Sequence, residues 1–137
     1  MVPGDRGISG VGTGPTSSKP TSRERSRVSQ VAKVPVAEQA AFHSYAERFG
    51  LNMSAVAILL LARELRLRRL THLCGRYPPE KGALLDGKII AYLHGRDLKE
   101  AFRLHAANAH MRPGPAAAAV FRAELTEQWL ERVIGMC

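Results

Sequence analysis

The feature that most limits what this chain can fold into is that it repeats itself. One constant offset in numbering carries Ala41-Phe42 onto Ala101-Phe102, Ala46 onto Ala106, Ala57 onto Ala117, Glu64-Leu65 onto Glu124-Leu125 and Leu70 onto Leu130. One offset held across successive segments means two copies of a single supersecondary unit. Two copies are too few for a solenoid, which needs about three or more. They suit a pair related by a pseudo-twofold axis. The chain has 137 residues, and a unit below about 60 residues is marginal alone, so the copies are expected to share one core.

Each copy reads as strand, helix, turn, helix. Val28, Val31 and Val34 form a short β-branched segment that stops at Pro35, a residue suited to a helix start. Residues 36–49 have helical spacing, with Val36, Ala40, Ala41, Tyr45, Ala46 and Phe49 near one face. Gly50 ends that helix in the left-handed region, and Asn52 or Ser54 caps the next, about 54–70. Its last turns carry Arg63, Arg66, Arg68 and Arg69, which suit a helix C-terminus as a solvated face or, alternatively, meet phosphates. Residues 71–87, with two prolines and three glycines, read as a linker. Lys88 to His94 is a second strand. Asp97 is the expected N-cap of a helix to about His110, and Pro115 opens a final long helix, about 115–134. On it Phe121, Leu125, Trp129 and Val133 make an i, i+4 stripe, read as core or partner surface.

An isolated strand leaves its amides and carbonyls unpaired. Antiparallel pairing of the two strands satisfies them, and four helices then close a core beneath the ribbon. The expected fold class is mainly α with a short β-ribbon. Its organisation is a disordered basic arm at 1–27, repeat one at 28–70, the linker at 71–87 and repeat two at 88–137.

The formal net charge of +8 favours a polyanionic partner, nucleic acid before an anionic membrane surface. The arm holds Arg6, Lys19, Arg23, Arg25 and Arg27 against Asp5 and Glu24, and reads equally as a phosphate-touching arm or a solubilising tail. The longest apolar run, Ala55 to Ala62, is too short to span a bilayer. No apolar segment opens the chain, so no secretory signal is expected. Cys74 and Cys137 form no CxxC pair and read as free thiols in a reducing, cytoplasmic setting. Among His43, His72, His94, His105 and His110, the spacings His72–Cys74 and His105–His110 complete no zinc pattern. Glu38, Glu47 and Glu100 have no acid–base motif behind them, and no GxSxG elbow is present. Neither an enzyme, nor a cofactor, nor a metal is expected.

The first half, VAKVPVAEQAAFHSYAERFGLNMSAVAILLLARELR, resembles the ribbon-helix-helix superfamily of DNA-binding proteins. The spacing from Pro35 to Gly50, the small Ala46 and the capped start of the second helix carry the likeness. It covers 28–70 closely and 88–134 more loosely. Both halves in one chain make a tandem (β-α-α)2 pseudo-dimer, similar in architecture to the relaxosome accessory protein of F-type conjugative plasmids. The second half departs from the pattern. Its strand aligns one position short of the repeat offset, with Gly95 or Arg96 as the extra residue, His110 replaces the turn glycine, and Gly114-Pro115 replaces a capping residue.

The resemblance implies that one face of the ribbon enters the major groove and the other covers the core. With Ala32, Val34, Ile89, Ala91 and Leu93 inward and Gln30 at the fraying edge, the base-contacting set is Ser29, Val31, Lys33, Lys88, Ile90 and Tyr92. A slip of one residue would invert either strand. Lys donates to guanine O6 or N7, Ser donates or accepts, and Val or Ile touches a thymine methyl. Phosphate contacts fall to Asn52, Met53 and Ser54 at a helix N-terminus, to Arg112 where prolines remove amides, and to Arg23, Arg25 and Arg27. The two strands present different side chains, so an asymmetric or direct-repeat site is expected. Three roles fit: a plasmid conjugation accessory factor working with a relaxase or other relaxosome protein, a transcriptional regulator or repressor, and an antitoxin-like protein-interaction module. Either a monomeric pseudo-dimer or a homodimer of it would bind double-stranded DNA.

Overall fold

The computed structural model describes residues 28–79 and 81–135. The elements run β1 (Val28–Val34), α1 (Val36–Glu47), α2 (Met53–Leu67), α3 (Leu70–Arg76), β2 (Gly87–Leu93), α4 (Arg96–Asn108), α5 (Pro113–Glu127) and α6 (Trp129–Gly135). Among the described residues the protein is therefore mainly helical, with six helices and one two-stranded antiparallel sheet. A strand followed by three helices occurs twice, and α2 and α5 begin and end at the same repeat offset. The arm at 1–27 lies outside the described residues.

β1 and β2 pair from Val28↔Leu93 to Val34↔Gly87. Because side chains alternate along a strand, Ala32 and Val34 meet Ile89 and Gly87 on the covered face, all buried. Gln30 is not at a fraying edge. β2 continues to Leu93 and pairs with Val28, so Gln30 sits inside the ribbon opposite Ala91, 5% exposed. Its Nε2 donates to the Val31 carbonyl at 3.2 Å.

The helices cross over between halves: α5 packs on β1 and α2 on β2. Phe42 of α1 stacks obliquely on Phe121 of α5, ring centroids 5.1 Å apart. On α1 the buried residues are Phe42, Tyr45 and Ala46, whereas Val36, Ala40 and Ala41 are exposed. The larger ring of Phe42 sets the inward face, because apolar area, not the number of alanines, drives burial. Gly50 closes α1 at φ +70, and the Leu51 amide donates back to the Ala46 carbonyl at 3.1 Å. His110 does the same after α4 at φ +61, with Met111 donating to Ala106 at 2.9 Å. The glycine is replaced without loss of the turn geometry. Asn52 caps α2 by accepting from the Ala55 amide at 2.8 Å. Asp97, expected to cap α4, lies inside its first turn, and Gly95 holds the cap position. Its carboxylate still suits the positive end of the helix dipole.

Two expected segments are divided differently. The linker 71–87 is helical in its first part: α3 packs on α5 and buries Leu70 and Leu73. The connection after it is tied down by the Asp86 carboxylate, which accepts from the Val36 amide at 3.2 Å. At Gly87 any Cβ would stand 2.6 Å from Gln39 Oε1 and 3.1 Å from the Val36 Cα. The long helix 115–134 breaks at Gln128, φ +53, as the chain breaks at Arg68, φ +54, between α2 and α3. The break takes Val133 off the Phe121 stripe: Phe121 is buried, Leu125 and Trp129 are half-buried, and Val133 is exposed.

Two buried carboxylates hold the halves together. Glu124 on α5 accepts from the Tyr45 hydroxyl of α1 at 2.6 Å and from the Leu130 amide at 2.7 Å. Glu64 on α2 meets His105 Nε2 of α4 at 3.0 Å. Glu64 maps onto Glu124 at the repeat offset, and Tyr45 maps onto His105, so the two bonds are pseudo-symmetric copies. A buried carboxylate is costly unless paired, and each finds a side-chain partner in the other half.

Burial and the Glu124 carboxylate push the Tyr45 phenol well above its ordinary range. The folded state then holds this proton more tightly than the unfolded one. Its stabilising effect is fully present below the unfolded value, about 10, and is lost as pH climbs beyond it. Tyr45→Phe is expected to lower stability by about 1–3 kcal/mol at neutral pH, since Glu124 loses a donor. Denaturant titrations between about pH 9 and about pH 11 should show the variant losing stability less steeply than the native protein; equal slopes would mean Tyr45 carries none of the alkaline loss.

Candidate nucleic-acid interface

A two-stranded ribbon has two faces and two edges. The helices cover one face, and parts of both edges are occupied as well. At the β2 edge the Lys88 amide donates to Gln39 Oε1 at 2.9 Å and the Tyr92 amide to Ser54 Oγ at 2.8 Å. At the β1 edge the Lys99 ammonium donates to the Ser29 carbonyl. The start of α5 closes on the same strand, where a Cβ on Gly114 would stand 3.3 Å from the Val31 carbonyl. The Gln39–Lys88 and Lys99–Ser29 contacts are pseudo-symmetric, and Ser54 and Gly114 each approach a strand edge. Gln39 maps onto Lys99 at the repeat offset, and Ser54 maps onto Gly114. Blunted edges discourage pairing with another strand, which leaves the outer face as the surface a partner can reach.

That face carries three cross-strand pairs: Ser29 opposite Tyr92, Val31 opposite Ile90, and Lys33 opposite Lys88. Lys33, Lys88 and Tyr92 are exposed, while Ser29, Val31 and Ile90 are half-buried. The six residues expected to contact bases thus stand together on one side of the sheet. Lys33 and Lys88 face each other directly, and like charges placed so oppose folding. An anion laid over the ribbon would relieve that repulsion.

The N-termini of α2 and α5 flank the ribbon at its two edges. At α2 the Asn52 side chain takes the Ala55 amide and the Val56 amide bonds to the Asn52 carbonyl at 3.3 Å. The amides of Met53 and Ser54 remain at the open, positive end of the helix. The Ser54 hydroxyl is committed to Tyr92, so what Ser54 offers an anion is its backbone. At α5, Pro113 and Pro115 supply no amide and the exposed Arg112 occupies the cap position without a side-chain capping bond. Arg23, Arg25 and Arg27 lie outside the described residues.

Sequence reasoning missed Gln39, Lys99 and Gly114. The repeat offset that relates Gln39 to Lys99 and Ser54 to Gly114 was present, but Gln against Lys and Ser against Gly look unlike. Only the geometry shows that Gln39 and Lys99 meet equivalent positions of the two strands, Lys88 and Ser29, and that Ser54 and Gly114 each approach a strand edge. Arg63, Arg66, Arg68 and Arg69 belong to the far end of α2, whose 15 residues place them about 20 Å along the axis from the ribbon.

Lys33→Glu converts the repelling cross-strand pair to an attractive one. It is expected to raise stability by about 0.2–1 kcal/mol at low salt, with the gain fading toward about 1 M salt. Thermal melts at two ionic strengths check this; a destabilised variant at low salt would show that the lysines do not interact. Comparison with protein-family models, with curated proteins and with solved structures gives no match for this chain.

Proposed function

We propose that this chain is a sequence-specific double-stranded DNA-binding protein, a tandem ribbon-helix-helix pseudo-dimer that lays the outer face of its ribbon in the major groove. One observation carries the reading: the lysine-bearing face formed by Ser29, Val31, Lys33, Lys88, Ile90 and Tyr92, flanked by two helix N-termini. Paired strands lie about 4.8 Å apart, so a ribbon with its side chains fits a major groove about 12 Å wide. Lys33 and Lys88 donate to guanine O6 or N7, Val31 and Ile90 touch thymine methyls, and Ser29 and Tyr92 supply hydroxyls. The amides of Met53 and Ser54 hold a phosphate on one side and Arg112 holds one on the other. The net charge of +8 adds sequence-independent attraction. Such a protein serves as a transcriptional regulator or as an accessory factor of plasmid conjugation, because gripping a short duplex site is the same physical act in both.

The two strands present unlike side chains, and the two flanking anchors differ. The preferred site is therefore asymmetric or a direct repeat. Footprinting of duplexes selected from a random library should return such a site; a perfect inverted repeat bound by one chain would contradict the reading. In gel shifts at stepped salt, K33A/Y92A is expected to weaken binding to the selected site by about 10- to 100-fold while weakening random duplex far less, since one good base contact is worth about 1–3 kcal/mol. Undiminished selectivity in that variant would remove the ribbon from base recognition.

A further inference from the structure

α2 and α5 both begin at the ribbon's edges, and their C-termini meet at the opposite pole of the molecule. There the chain turns twice through left-handed residues, Arg68 after α2 and Gln128 after α5. Around these turns gather Arg63, Arg66, Arg68, Arg69, Arg76 and Arg132. Among the described residues, Glu127 is the carboxylate bonded within this cluster, and it is shared. It accepts from Arg69 Nη2 at 3.2 Å and from the Tyr77 hydroxyl at 2.9 Å, while Arg132 Nη1 donates to the Glu127 carbonyl at 2.6 Å. Arg76 Nε lies against the same Tyr77 hydroxyl at 3.2 Å. Arg63 lies over the Trp129 ring, 4.3 Å from its centroid. Arg66, Arg68, Arg76 and Arg132 are exposed.

Helix C-termini attract cations, and that accounts for one or two arginines here. It does not account for six gathered here, where mutual repulsion grows with each addition. The cluster is also concentrated in one copy's sequence: at the repeat offset Arg68 and Arg69 correspond to Gln128 and Trp129, and Arg63 to Ala123. A uniform need of the fold would have kept them in both copies. All six are arginines, whose planar forks match phosphate oxygens in pairs. They stand at the ends of α2 and α5 remote from the ribbon, about 20 Å along the helix axis, so a duplex seated on the ribbon does not reach them.

The geometry points to a second, sequence-independent surface for duplex DNA at this pole, through which one chain joins two DNA segments. The second surface stands independently of the ribbon reading, whereas the joining of two segments rests on it.

The test uses the full chain and two random-sequence duplexes of about 25 base pairs, one fixed to beads and one fluorescent in solution, below about 0.1 M salt. Native protein should retain the soluble duplex on the beads in proportion to bound protein, with single chains between duplexes by mass measurement. R66Q/R68Q/R76Q should still shift a single duplex, melt as the native protein does and lose retention of the second duplex by at least tenfold. The salt slope of retention should fall by about 2 to 3. R68Q places at Arg68 the residue found at the equivalent left-handed position, Gln128, so the turn is preserved. Retention unchanged in the triple variant, no retention by native protein, or bridging only through pairs of chains overturns the proposal. Preference of the pole for poly-glutamate over duplex overturns it as well, in favour of an acidic protein partner. If the triple variant loses all DNA binding while K33A/Y92A keeps it, the pole is upheld as a DNA surface and the ribbon reading falls.

Discussion

A strand that leaves one copy of the repeat has nothing within that copy to bond to. β1 and β2 complete each other, residue for residue, from Val28↔Leu93 to Val34↔Gly87, and the rest of the architecture follows from that mutual need. Bringing the strands together forces each second helix under the strand of the other half, so α5 supports β1 and α2 supports β2. Neither half then owns its core. The same exchange appears in polar form in the buried bonds Tyr45–Glu124 and His105–Glu64. A partly separated state would strip both carboxylates of their side-chain partners, which low-polarity surroundings penalise. The two halves are thus bound to fold and unfold together.

On this near-symmetric frame the chain varies what lies at the surface. One ribbon edge is held by Gln39 and Ser54, the other by Lys99 and the close approach of Gly114. One flanking helix offers backbone amides, the other an arginine. At the far pole one copy supplies most of the arginines and the other supplies Gln128 and Trp129. Divergence is concentrated where partners would touch, and the shared positions Phe42/Phe102, Ala46/Ala106 and Glu64/Glu124 are all buried. A core position in one half packs against its counterpart's surroundings, so change there is felt twice; a surface position answers only to its own neighbours.

Much of this was legible before any coordinates. The constant offset, the short alternating strands, Gly50 and Asn52 announce the ribbon, the turn and the second helix, and the inward set Ala32, Val34, Ile89, Ala91 and Leu93 follows from alternation. The short helices were not legible. α3 hides in a segment rich in glycine and proline, and only its burial of Leu70 and Leu73 against α5 makes it a helix. The break at Gln128 was invisible because no glycine marks it; a non-glycine residue enters the left-handed region there because packing on both sides fixes the path. The inward face of α1 was blurred by alanines that fit either environment. Glu64 and Glu124 were visible as a matched pair, yet a glutamate in a helix looks solvated, and only its distance to the other half reveals it as interior.

The single connection between the copies, running from α3 to Gly87 and pinned by Asp86 to the start of α1, has a consequence for how the molecule behaves in a cell. Two separate subunits must find each other, so their folded fraction falls with dilution. Here the second strand arrives tethered, at an effective concentration set by about ten residues of chain. Assembly is therefore first-order and indifferent to abundance, and a few copies per cell are as fully folded as many. Folding of the ribbon then carries no threshold of concentration.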